Sequence, residues 1–94
     1  MNVIELNKII SKKFATIDDI KEFTNKDDGY CHHVFNHLNE LSKYKGYLSR
    51  KDKVCMKVFV EYFNINVDKV KNAFYEIRKL YDIKKLGVIN CNEI

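Results

Sequence analysis

Cys31, His32, His33 and His37 form the densest group of side chains in this sequence that could do chemistry. His33 and His37 stand four apart and would share one face of a helix, a spacing that can chelate Zn²⁺. A tetrahedral site would still need ligands from Cys55, Cys91 or a distant acid, and no second pair has ligand spacing. The cluster therefore reads as a polar helix face with Cys31 turned to the core, and no metal is expected. Cys31 and His33 are two apart, so on a helix they point to different sides and make no thiolate–imidazole pair. A Gly-rich phosphate loop, a nucleophile elbow and a metal-hydrolase motif are all absent from the sequence. Neither an enzyme activity nor a cofactor is expected.

Binding is the chemistry left, and the bulk properties bound it. A chain of 94 residues is sized for one domain with a modest core, and 46% apolar residues fit a folded domain spanning 1–94. The net charge of +4 permits an anionic partner without requiring one. Arg50 and Arg78 are the only arginines, so the positive charge is mostly lysine, which meets phosphate as a point charge. Three widely spaced cysteines exclude a fully paired disulfide framework and suggest reduced thiols, hence a cytoplasmic protein. MNVIELNKII does not read as a secretory signal, and no apolar run approaches the roughly 20 residues that span a bilayer. The abundance of Lys, Asn and Ile suggests an AT-rich genome, as in a phage, plasmid or low-GC bacterium.

The elements that would position a binding face are mostly helical. Asn2 with Glu5, Thr16 with Asp19 and Ser49 with Asp52 place a capping side chain three residues before an acid, and Asn66 is a fourth candidate cap. Apolar stripes follow the caps: Val3, Leu6, Ile10 and Phe14; Ile17, Ile20 and Phe23; Tyr30, Val34, Leu38 and Leu41. The clearest stripe is Val67, Val70, Phe74, Ile77 and Tyr81, with Gly87 placed to close that helix. Val54 to Phe63 fits two periods. As a helix after the Ser49 cap it buries Cys55, Val58, Phe59 and Tyr62; as a strand it alternates through Val54, Met56, Val58 and Val60. The helix is favoured because its apolar face continues to Phe63, which predicts an all-α domain of five helices. The alternative is a winged helix with a short β-hairpin at about 47–60.

Phe59 to Phe74, FVEYFNINVDKVKNAF, resembles a helix-turn-helix DNA-binding unit. Phe59, Phe63, Ile65, Val70 and Phe74 take the family's apolar positions, Val60 and Ala73 its small ones, and Asn64 the turn position usually held by Gly. The resemblance implies a second helix that presents Lys69, Lys71, Asn72, Tyr75, Arg78 and Lys79 to double-stranded DNA. Asp68 and Glu76 on the same helix depart from that pattern. A second stretch, Thr16 to Ser49, resembles the helix pair of a winged-helix protein, with His32, His33, Asn36, His37 and Asn39 outward and a connection running from Asn25 to Gly29.

Two functions follow from different classes. The first is a small DNA-binding transcriptional regulator from a phage or mobile element, expected to be a homodimer because one unit reads only a half-site. The second is a protein–protein interaction module that binds a host protein without touching nucleic acid. Tyr44, Tyr47 and Tyr75 would be its anchors.

Overall fold

The computed structural model describes the backbone of residues 1–86 and the side chains of residues 1–80. Gly87, the tail 88–94 with Cys91, and the side chain of Tyr81 lie outside the described residues. The chain runs α1 (Val3–Ile10), β1 (Phe14–Ala15), α2 (Ile17–Thr24), α3 (Asp28–Lys45), β2 (Val54–Cys55), α4 (Met56–Tyr62) and α5 (Val67–Leu86). It is a mostly helical domain with five helices and one two-residue ribbon among the described residues.

Local chemistry sets the helix starts. Asn2 and Glu5 form a complete capping box at α1, and Thr16 and Asp19 form another at α2. Asp27 caps α3 by accepting from the Tyr30 N–H at 2.9 Å. Asn66 caps α5 by accepting from the Lys69 N–H at 3.0 Å.

The helix ends are equally specified. α3 stops at Gly46, whose φ of 75° lets the Tyr47 N–H reach back to the Ser42 carbonyl at 2.8 Å. α4 closes in the same way with Asn64 in place of glycine. At φ 54° it lets the Ile65 N–H reach the Val60 carbonyl at 3.0 Å.

The ribbon ties the first part of the chain to the third. β1 pairs antiparallel with β2, Ala15 opposite Val54 and Phe14 opposite Cys55. Alternation then puts Ala15 and Val54 in the core, both fully buried, and leaves Phe14 and Cys55 half-buried on the other side. The Met56 N–H extends the ladder to the Lys13 carbonyl at 3.0 Å.

Around the ribbon, Ile20, Cys31, Val34, Leu38, Val58 and Phe59 pack into one cluster, joined by Ile9 from α1. Phe59 is fully buried, and its ring meets Phe23 at 5.6 Å and Phe63 at 5.0 Å between centroids. Such burial contributes roughly 1.5–3 kcal/mol per large side chain. α5 lies along α1 rather than in this cluster. The two run antiparallel, since Lys71 bonds Ser11 while Phe74 and Ile77 share a cleft with Ile4.

Four expectations change. Ser49 does not cap a helix: its Oγ donates to Asn39 Oδ1 at 3.1 Å, and α4 begins only at Met56, with Cys55 at its N-cap. The Val54–Phe63 segment uses both periods in turn, two residues of strand and then seven of helix, because Val54 and Cys55 find a partner in β1. The hairpin of the winged alternative is present only in part. β2 joins β1 instead of residues 46–49, and the hairpin at 50–53 reduces to one bridge between Arg50 and Lys53. Lastly, Asp27 starts α3 at Asp28, so the α2–α3 connection is only residues 25–27, shorter than the expected Asn25–Gly29.

Candidate nucleic-acid interface

The break between α4 and α5 covers residues 63–66, and Asn64 and the Asn66 cap set the direction in which α5 leaves. Lys69, Lys71, Asn72, Tyr75, Arg78 and Lys79 are all exposed. At about 100° per residue, Lys71, Asn72, Tyr75, Arg78 and Lys79 fall within an arc of about 120° that starts about 40° from Phe74, so Arg78 borders the apolar stripe and lines the cleft that Phe74 and Ile77 share with Ile4. Lys69 lies about 60° outside that arc. The structure thus brings five of the six together and sets the sixth at the margin. Asp68 stands inside the same arc and is exposed, and Glu76 lies just beyond its edge.

The cations of this face form no internal ion pairs among the described residues. Among the described residues the ion pairs are Lys12–Asp19, Lys21–Asp28 and Lys45–Glu61, none of them on α5. Lys71 Nζ touches only a neutral partner, Ser11 Oγ, at 3.3 Å. By contrast, the Asp28 carboxylate raises the Lys21 ammonium above its ordinary pKa through a 2.7 Å bond, and Lys21 lowers Asp28 in return. Glu61 likewise raises Lys45. No protein-family model, no curated protein and no solved structure matches this chain. The outer face of α5 must therefore be judged on its chemistry alone.

The rival face on α3 is weaker for the same task. His32, His33, Asn36 and His37 are exposed, while Asn39 is half-buried and held by Ser49. No lysine or arginine occurs from Asp28 to Ser42, and Asp27 and Asp28 stand at the helix start. The cations of α3 are confined to its last turn, at Lys43 and Lys45, so the stretch that carries the histidines has no phosphate anchor of its own. Two of the three histidines are also engaged locally: His32 Nδ1 lies 2.9 Å from the Asp28 carbonyl oxygen, and the His37 ring packs edge-on against Tyr62 at 5.5 Å. No group of three or more His, Cys, Asp or Glu side chains among the described residues is placed to hold a metal ion. Cys31 is fully buried, its Sγ 3.7 Å from the Lys26 carbonyl oxygen.

Sequence reasoning missed one feature. Where the ribbon meets α4 and the start of α5, an open groove of 460 Å³ has a floor of Ile10, Phe14, Met56, Val60 and Val67. Lys12, Lys13, Lys57 and Leu48 also line it, with Cys55 inside. The residues come from five separate places in the chain, so no local spacing announces them.

Proposed function

We propose that this protein is a small DNA-binding regulator of the helix-turn-helix type, with the outer face of α5 as its reading surface. What supports this is the gathering of Lys71, Arg78 and Lys79 with Asn72 and Tyr75 on one exposed face, free of internal ion pairs among the described residues. Lys71, Arg78 and Lys79, with Lys69 at the margin, neutralise phosphates. Asn72 has the amide geometry to bond an adenine edge, and the Tyr75 hydroxyl reaches the sugar-phosphate backbone. One α5 spans one half-site, so the working species is a homodimer on a two-fold symmetric site.

Fluorescence anisotropy on mixed-sequence duplex DNA across a salt series tests this. If all three outer cations meet phosphates, the triple variant Lys71→Ala, Arg78→Ala, Lys79→Ala lowers the slope of log K against log salt by about 2.7. No binding at low salt, or an unchanged slope in the triple variant, would sink the proposal.

A further inference from the structure

The 460 Å³ groove beside the ribbon lies apart from the outer face of α5 and carries its own chemistry, whether or not α5 reads DNA. Its floor is made of Ile10, Phe14, Met56, Val60 and Val67, and its volume lies in the range of about 300–1,000 Å³ typical of ligand sites. Leu48 stands at its margin with 68% of its surface exposed. An exposed leucine at the lip of an apolar groove is the arrangement expected where a partner completes the packing.

Charge narrows the occupant. Lys12, Lys13 and Lys57 line the groove with no acid among its lining residues, and Arg50 lies over the Phe14 ring at 5.6 Å. Lys12 is bound to Asp19 at 2.6 Å, but Lys13 and Lys57 are in no ion pair among the described residues. Lys57 lies 5.7 Å from the Tyr47 ring centroid, which holds its ammonium near the rim. A segment that inserts apolar side chains here therefore gains from carrying carboxylates beside them.

Shape narrows it further. A strand added to the ribbon would gain little, because β1 and β2 are each two residues long. A lone acyl chain needs most of its surface enclosed, which an open groove does not supply. A helix buries one face only and suits such a groove. We propose that the groove docks an acidic amphipathic helix of a partner protein, with its apolar stripe on Phe14, Met56, Val60 and Val67 and its acids against Lys13 and Lys57.

The test uses the full chain and a synthetic helical peptide with Leu at i, i+3 and i+7, flanked by Glu. A control peptide keeps the same charge and replaces every Leu by Ala. Titration calorimetry is expected to show binding of the Leu peptide, weakened roughly tenfold by Leu48→Asp and by the pair Lys13→Glu, Lys57→Glu. These three positions are exposed, so the variants keep the core, and circular dichroism checks that they do. Bound peptide also slows alkylation of Cys55, which lines the groove, as read by mass mapping of the Cys55 fragment. Equal affinity for the Ala control would show attraction by charge alone and overturn the proposal. So would binding that folded Leu48→Asp leaves unchanged, or no binding at low salt. Mixed duplex DNA in a parallel titration separates the sites: Leu48→Asp leaves its affinity unchanged if DNA sits on α5.

Discussion

Asp68 is the residue on which the DNA-binding proposal is most exposed to test. It stands within the arc of Lys71, Asn72, Tyr75, Arg78 and Lys79, in the first turn of α5, and it is exposed. Replacing it by Asn removes one negative charge and keeps the shape. A phosphate at roughly 6 Å from that carboxylate is repelled by about 0.7 kcal/mol at the dielectric of water and by roughly 2.8 kcal/mol at an effective value of about 20. Removing the repulsion should therefore tighten DNA binding between about threefold and about a hundredfold, more at low salt than at high. The same change should weaken the fold, because an acid in the first turn complements the helix dipole by about 0.3–1 kcal/mol. The substitution thus moves affinity up and stability down, a combination that nonspecific loosening does not produce. Anisotropy at two salt concentrations gives the first quantity and urea unfolding the second. A folded Asp68→Asn protein whose DNA affinity is unchanged or lower would remove α5 from the interface.

Three further outcomes test the packing that aims this face. Phe59→Ala should cost about 3–5 kcal/mol in urea unfolding, since Phe59 is fully buried between Phe23 and Phe63. At Asn64, with φ 54°, Ala should cost about 1–2 kcal/mol whereas Gly should be close to neutral, and equal effects would refute the left-handed closure. The Lys21–Asp28 pair should show coupling in a double-mutant cycle at neutral pH. Asp28 has its pKa lowered, so its contribution is present above the unfolded value near 3.8 and lost as pH falls through the folded one. Lys21 is raised, so its share persists below 10.5 and is lost as pH rises through its folded value. Both groups are exposed, so the coupling is small and fades with salt; persistence in strong acid would refute the assignment.

What could be read from residues alone follows the range of the interactions involved. Asn2, Thr16 and Asn66 cap helices through bonds to residues three positions on, and those starts were visible in sequence. The core positions of α3, Val34 and Leu38, follow from a repeat local to one helix. Ser49 shows the limit: its spacing to Asp52 matches a cap, yet Asn39, ten residues away, takes its hydroxyl. Val54 shows it again, since its choice of strand depends on Ala15, nearly forty positions earlier. The outer face of α5 was legible because it is a single helix. The groove was not, because Ile10, Phe14, Leu48, Met56 and Val67 meet only once the ribbon has paired.

The two surfaces share one determinant, the closure of α4 at Asn64. Its left-handed turn brings the Ile65 N–H to the Val60 carbonyl, and two residues later α5 begins at Val67. Val60 and Val67 both line the groove and flank that turn in the sequence. The direction set there also fixes which way Lys71, Asn72 and Tyr75 face, because α5 is held against α1 by the Lys71–Ser11 bond and the Ile4–Phe74 cleft. A partner seated between Val60 and Val67 therefore presses on the hinge that aims α5. If both sites operate, Asn64→Ala should perturb peptide docking and DNA binding together, whereas Leu48→Asp should affect docking alone.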